Sequence, residues 1–259
     1  MGALISTAQA DVATRRSVRA VIRRALVRTA HVVMRSDLAL VVSGVITALT
    51  IALALSPNGV VQQVVSSTST NLANLRTHPV PVLVASLFVV PDLEGLLLVL
   101  VLLVALAYGQ QWVGRFATVV VAVIGHVGAT LFVAILLITG LGAHLIPRSV
   151  VYAEDVGVSY ALAALLGWLS ARVPRRWRVW YIAMLVLYFL GPALFSQTFT
   201  DAGHATALVL GLSLAVLSAR SAQGDPTPSA QDDAVGGIPL AADDERRSVS
   251  PSGKEVVEE

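Results

Sequence analysis

The stretch FATVVVAVIGHVGATLFVAILLIT, residues 116–139, decides the class of this chain. It is 24 residues long and contains no Asp, Glu, Lys or Arg, and about 20 such residues in a helix cross the hydrocarbon core of a bilayer. The whole chain agrees, because 56% of its 259 residues are hydrophobic and 13% are charged, whereas a soluble domain carries about 25% charge. The composition therefore excludes a soluble globular protein and indicates one that lies largely in a membrane.

Five further apolar stretches accompany this segment, so the chain is predicted to cross the membrane six times. They cover residues 38–55, 93–108, 156–171, 179–194 and 202–219. The stretch at 93–108 follows a shorter apolar segment interrupted by Pro91 and Asp92. We expect these two residues to mark the outer start of the second span, because charge is costly in mid-bilayer. The predicted fold class is all-α, a polytopic membrane protein with six transmembrane helices.

The positions of the arginines predict the orientation of the chain. Seven arginines precede the first span, and others occupy the loops between spans two and three and between spans four and five. The opposite loops carry only Arg76 and Arg148. Short loops rich in Lys and Arg stay in the cytoplasm. We therefore expect both termini to be cytoplasmic and the chain to be a multi-pass protein of the plasma (inner) membrane.

Composition divides the chain into three predicted regions. Residues 1–37 place arginines among Val, Ile and Leu at helical spacing. They predict a basic amphipathic cytoplasmic segment lying on anionic lipid or, equally, an Arg-rich flank that only sets orientation. Residues 38–220 form the six-span membrane domain. Residues 221–259 hold nine acidic against three basic residues with many Pro, Ser and Gly, and predict a disordered acidic tail.

Few residues within the spans can do chemistry. Ser159 lies near the start of the fourth span and His204 near the start of the sixth. Both spans run inward from the outer side, so the two residues lie at similar depths. An imidazole can take the proton of a serine hydroxyl and so make it a nucleophile. The pair predicts either a catalytic dyad or simple helix packing, with Ser159 bonded back to a backbone carbonyl and His204 to a loop.

Small residues favour close packing of these two spans. They recur at every fourth position, at 159, 163 and 167 in the fourth span and at 203, 207 and 211 in the sixth. Such spacing lets helix backbones approach closely in membranes.

The remaining ionisable candidate is His126 in the third span. Its distance from Arg115 places it near the midplane, too deep to join the other two. We interpret it as a core histidine bonded to a neighbour such as Thr130. The chain has no cysteine, which excludes thiolate metal sites, and neither a cofactor nor a metal is predicted.

Two short motifs resemble those of a known family. GVSY at 157–160 and GHATALVLG at 203–211 resemble the GxSG and AHxxGxxxG motifs of the rhomboid intramembrane serine proteases. PVLVASLFV at 81–89 is similar to the stretch leading into that family's second span. GQQWVGRFATVVVAVIGHVGATL at 109–131 is similar to its second-to-third loop and third span. The resemblance covers roughly residues 38–220.

This resemblance implies an activity and a site. Ser159 would be the nucleophile and His204 the general base, cleaving membrane-anchored proteins near the outer membrane face. The loop over residues 140–157 would descend to the serine and let water reach it.

Three departures from the family pattern bear on that activity. The stretch VVPDLEGLLLVL at 89–100 lacks the histidine and asparagine that help to hold the oxyanion in rhomboid proteases. Loss of one oxyanion donor costs about 2.7–4 kcal/mol. Tyr160 replaces the glycine after the serine, and Ala163 stands where an aromatic usually stacks on the histidine.

Three functions therefore stay open. The chain is a rhomboid-like intramembrane serine protease with a divergent oxyanion site, a catalytically inactive rhomboid-fold pseudoprotease that binds transmembrane segments, or a small transporter. The expected partners are a single-span membrane protein, as substrate or client, and membrane lipids. Nucleic-acid binding is not expected, because the basic residues flank membrane spans and are explained by topology.

Overall fold

The computed structural model describes residues 2–195 and 198–221, and the regular structure among them is helical. The all-α prediction is therefore confirmed for this part of the chain. Apart from Ser221, the predicted acidic tail lies outside the described residues. The α-helices are α1 (Gly2–Met34), α2 (Asp37–Ala54), α3 (Asn58–Thr68), α4 (Leu72–Thr77), α5 (Pro79–Ser86), α6 (Leu96–Val113), α7 (Arg115–Gly142), α8 (Ser159–Leu169), α9 (Arg175–Phe195) and α10 (Phe199–Ser221).

A helix occupies each of the six predicted spans. Within the described residues, four of these helices, α2, α6, α7 and α10, have both the length and the apolar composition to cross a membrane. The chain is therefore a membrane protein with several apolar helices. The fourth predicted span is shorter than expected, because α8 has 11 residues and is only about 16 Å long. Six crossings remain a prediction.

The short helix α8 lies at the centre of the bundle. Nine of its residues are buried, and it packs against α6, α7, α9 and α10. A helix that is apolar all round belongs in such a core. Its surroundings, rather than its own length, hold it in place.

Small residues bring α8 directly against α7 and α10. A Cβ added to Gly211 would lie 2.1 Å from the backbone oxygen of Ala164, and one added to Gly125 would lie 2.1 Å from the Ala164 Cβ. A Cβ at Gly167 would lie 2.9 Å from the backbone oxygen of Leu208. The predicted close approach of the two spans is confirmed, although Ala164 rather than Ala163 makes the tightest contacts.

Residues 58–86, between the first two predicted spans, are largely helical. Asn71 caps α4, since its Oδ1 accepts a hydrogen bond from the Asn74 amide at 2.9 Å. Thr70 donates to the backbone oxygen of Asp155 at 3.0 Å, and the Asp155 amide donates to Ser69 Oγ at 2.7 Å. Burial raises the pKa of the Asp155 carboxyl, against the opposing interactions with the hydroxyls of Tyr160 and Thr70. These bonds join the segment to the loop that precedes α8.

Helix α1 meets the bundle through a hydrogen-bonded joint. Ser36 Oγ donates to the backbone oxygen of Ala107 at 3.3 Å. Asp37 accepts hydrogen bonds from Gln110 and Arg115. The hydroxyl groups of Thr29 and Tyr108 lie 3.1 Å apart. The C-terminal end of α1 is therefore fixed to α6, whereas its side chains from Val18 to Arg28 are exposed.

Candidate functional site

The turn before α8 depends on a glycine. Gly157 has φ = +115°, a conformation that residues with a Cβ rarely adopt. Its amide donates to the backbone oxygen of Ser86 at 2.9 Å. This turn starts α8 at Ser159, and no side chain caps the helix among the described residues. The first-turn amides of α8 are therefore available as hydrogen-bond donors.

Ser159 and His204 line the same cavity. It has a volume of about 830 Å³ and lies between α6, α8, α9 and α10. Its lining is apolar except for Ser159, Asp201, His204 and the phenol of Tyr188. Two residues 45 positions apart in the sequence are thus brought to one site.

The two side chains share this cavity without a direct bond. Among the described residues, the Ser159 hydroxyl has no hydrogen-bond partner, and His204 makes ring contacts only. The alternative in which Ser159 bonds back to a backbone carbonyl is therefore wrong for this structure. Catalytic hydrogen bonds are often long or poorly aligned without substrate. The Ser159 hydroxyl can therefore still donate or accept a hydrogen bond when a group enters the cavity.

Two aromatic rings hold the imidazole of His204. The Tyr160 ring meets it edge-on with centroids 5.1 Å apart, and the Phe189 ring lies at 5.8 Å. Sequence reasoning noted Tyr160 only as a departure and took Ala163 as the position of a missing aromatic. The aromatic contact comes instead from the residue directly after the serine. Gly203 makes room for it, because a Cβ there would lie 2.3 Å from the Tyr160 ring.

Asp201 is a further polar residue that sequence reasoning did not select. Its carboxylate accepts hydrogen bonds from the amide and hydroxyl of Thr198, at 3.1 and 2.6 Å. The Asp201 amide donates back to the Thr198 hydroxyl at 3.2 Å. This capping box fixes the start of α10 one turn before His204. The spacing Thr-x-x-Asp ahead of an apolar run is the sequence signal that predicts it.

A second, smaller cavity adjoins Ser159 on the side of α6. It has a volume of about 380 Å³, and Asp92 and Glu94 line it together with Ser159. Asp92 Oδ1 accepts a hydrogen bond from the Gly95 amide at 2.8 Å, so Asp92 lies near the start of α6 as predicted. Ionised carboxylates only accept hydrogen bonds. Neither acid can replace the missing donors for an oxyanion.

His126 is a core histidine, but its partner is not the one predicted. It is 2% exposed, and its Nε2 lies 3.1 Å from Ser86 Oγ, while the Thr130 hydroxyl has no partner among the described residues. Its ring centroid is 6.3 Å from that of Tyr160, but His126 lines neither of the described cavities at Ser159; that it lies too deep to join Ser159 and His204 stays a prediction. Ser86 ends the short helix α5, which sequence reasoning did not resolve.

These features define a helical membrane protein with a serine and a histidine on one cavity. A family model described as rhomboid-like protein matches residues 31–224, which is most of the chain. The chain therefore belongs to the rhomboid-like protein family. No curated protein and no solved structure matches it.

Proposed function

We propose that this chain is an intramembrane serine protease that cleaves single-span membrane proteins near the outer membrane face. The observation that carries this proposal is the shared cavity, in which Ser159 and His204 are exposed to the same space among apolar side chains. An apolar cavity of about 830 Å³ between helices suits part of a transmembrane segment. The nucleophile and the base would then face the backbone of that segment.

The reaction uses the two residues in sequence. A ring nitrogen of His204 accepts the Ser159 hydroxyl proton while Oγ bonds to the carbonyl carbon of the scissile peptide. The tetrahedral intermediate collapses, the C–N bond breaks, and the imidazolium gives its proton to the leaving amine. Water then attacks the acyl ester while His204 takes a proton from that water. The second intermediate collapses, the bond between Oγ and the acyl carbon breaks, and the imidazolium returns its proton to Oγ, which releases the carboxylic acid product and regenerates Ser159. The rings of Tyr160 and Phe189 keep the imidazole in position through both steps.

The start of α8 is the best source of oxyanion stabilisation. Ser159 is the first residue of α8, and no side chain caps the helix among the described residues. Unpaired amides and the helix dipole make such an end favourable for negative charge. In our proposal these amides donate hydrogen bonds to the oxyanion, in place of the second-span donors that related proteases use and this chain lacks.

Cleavage in reconstituted vesicles tests this function. The purified chain would be incorporated into liposomes with a panel of tagged single-span proteins, and products would be identified by gel and mass spectrometry. We expect cleavage by the unmodified chain and a loss of more than about 1000-fold in Ser159→Ala and His204→Ala. Ser213→Ala is the matched control, because Ser213 is exposed on α10 and bonds only to the Val209 carbonyl. Cleavage that survives Ser159→Ala would contradict the proposal.

A second candidate is a pseudoprotease that binds transmembrane segments without cutting them. The observation in its favour is the cavity beside Ser159, where Asp92 and Glu94 oppose negative charge. Photocrosslinkers placed at Leu187, an exposed residue of the larger cavity, distinguish the two. Adducts with a single-span protein that is never cleaved, in folded chain, would favour this candidate over the protease.

The orientation and the terminal regions complete the proposal. We place the chain in the plasma membrane with both termini in the cytoplasm. Residues 38–220 form the membrane domain, and residues 1–37 lie on anionic lipid. Support comes from the exposed half of α1. There Val18, Ile22 and Leu26 lie on one side, and Arg19 and Arg24 flank that side. Such a helix fits the interface of an anionic leaflet.

A further inference from the structure

Helices α2 and α6 form a groove on the side of α6 away from the proposed site. It has a volume of about 540 Å³. The α6 wall consists of Leu and Val side chains, and the α2 wall is a row of small residues between Leu40 and Ile51. That row is Ser43, Gly44, Thr47 and Ala48. The groove contributes nothing to the chemistry of Ser159 and His204.

A hydroxyl without a partner points to a hydrogen-bonding occupant. Ser43 is 4% exposed, and its Oγ has no hydrogen-bond partner among the described residues. Thr50, two turns further along the same helix, bonds back to the Ile46 carbonyl at 2.9 Å. An unpaired hydroxyl in a hydrocarbon environment is costly. A lipid acyl chain filling the groove would leave this cost in place.

The spacing of the row fits a second helix. Gly44 and Ala48 are four residues apart, and so are Ser43 and Thr47. A Cβ added to Gly44 would meet no atom within 4 Å, so its backbone is open to close approach. Small residues at this spacing, combined with hydroxyl groups, mark helix pairs in membranes.

We propose that this groove receives α2 of a second copy of the chain, forming a two-fold symmetric dimer. A hydroxyl both donates and accepts a hydrogen bond, so the same surface can satisfy itself across a two-fold axis. Ser43 of one copy bonds to Ser43 or Thr47 of the other. Two copies inserted with the same orientation meet with parallel α2 helices around an axis normal to the membrane. This inference does not depend on the proposed protease activity.

Disulfide crosslinking in native membranes tests the dimer. The chain has no cysteine, so each introduced cysteine is unique. Gly44→Cys lies in the groove, and Leu49→Cys is the matched control, because Leu49 is 42% exposed and lies on the opposite side of α2. We expect an oxidised dimer from Gly44→Cys and none from Leu49→Cys. Equal crosslinking of both variants, or adducts of Gly44→Cys with a different protein only, would overturn the proposal.

Photobleaching of single labelled molecules in bilayers gives an independent measurement. Gly44→Ile places its Cβ where no atom of its own chain lies within 4 Å, so it should fill the groove and abolish the dimer, and thermal unfolding in detergent checks that the variant is folded. Ser43→Ala should weaken association by about threefold, since one interhelical hydrogen bond is lost. An unmodified chain that stays monomeric at all densities would contradict the inference, as would a dimer unchanged by Gly44→Ile.

Discussion

The Tyr160 ring meets the His204 imidazole edge-on, with centroids 5.1 Å apart and planes inclined by 76°. Tyr160 directly follows the candidate nucleophile, so one turn of α8 supplies both the serine and the ring that holds its base. The ring is 2% exposed and lies against Gly203, the residue before His204. A substitution that departs from the usual family motif therefore has a structural role here.

Tyr160 should contribute through its ring and not through its hydroxyl. The hydroxyl is buried beside Asp155 and Thr200 but has no partner in hydrogen-bonding geometry among the described residues, so Tyr160→Phe should change the free energy of unfolding by less than about 1 kcal/mol. Tyr160→Ala should destabilise the fold by about 3–5 kcal/mol and slow reaction at Ser159 by about 100-fold, because the imidazole loses its position. Thermal unfolding in detergent measures the loss of stability, and the rate at which a fluorophosphonate probe labels Ser159 measures the loss of reactivity. A Phe variant as impaired as the Ala variant would show that the hydroxyl matters.

The second serine–histidine pair should be structural. Ser86 and His126 are bonded at 3.1 Å but are 0% and 2% exposed, so no substrate reaches them. Ser86→Ala should cost about 1–3 kcal/mol, because the imidazole is left without its partner. It should leave fluorophosphonate labelling unchanged when compared at equal folded fraction. Loss of labelling in folded Ser86→Ala would contradict the assignment of the nucleophile to α8.

The contact between Gly211 and Ala164 should limit what α8 and α10 tolerate. Gly211→Ala places a Cβ 2.1 Å from the Ala164 carbonyl oxygen, and the resulting separation of the helices should cost about 1–3 kcal/mol. Gly59→Ala is the control, because a Cβ there meets nothing within 4 Å and alanine favours a helix. Melting temperatures of the two variants in the same detergent give the comparison. Equal melting temperatures would contradict the backbone-to-backbone packing described here.

The exposed half of α1 should lie in the membrane interface. Val18 and Val27 are nine residues apart and therefore face opposite sides of the helix. Spin labels on Val18→Cys and Val27→Cys, in vesicles with and without anionic lipid, report depth by oxygen and nickel accessibility. We expect the label at 18 to be in lipid and the label at 27 in water, with the contrast strengthened by anionic lipid. Equal accessibility at the two positions would leave α1 as a flank that only sets orientation.

Sequence patterns predict the long helices well, because an apolar run of about 20 residues is typical of a membrane-spanning helix. Residues 116–139 became α7, and 38–55 became α2, within three residues at each end. The pairing of Ser159 with His204 in one cavity also followed from matched depth along two helices. These predictions rest on periodicity and length, which are local properties.

The remaining features depend on contacts that no local pattern contains. The ring contact of Tyr160 requires the space left by Gly203, 43 positions away. The partner of His126 is Ser86, on a short helix that looked like part of an interrupted apolar segment. Sequence patterns did not predict the helices α3 and α4, because both are short and mix polar with apolar residues. A cap at Asn71 and hydrogen bonds to the loop before α8 hold this segment.

Our proposal makes Ser159 an activated nucleophile with His204 as its base. Labelling of the purified, detergent-solubilised chain with a fluorophosphonate probe tests it most directly, because only an activated serine reacts quickly. We predict labelling of the unmodified chain and of Ser213→Ala, and loss of labelling in both Ser159→Ala and His204→Ala. A well-folded chain that takes up no label, or one that is still labelled after Ser159→Ala, would contradict the claim.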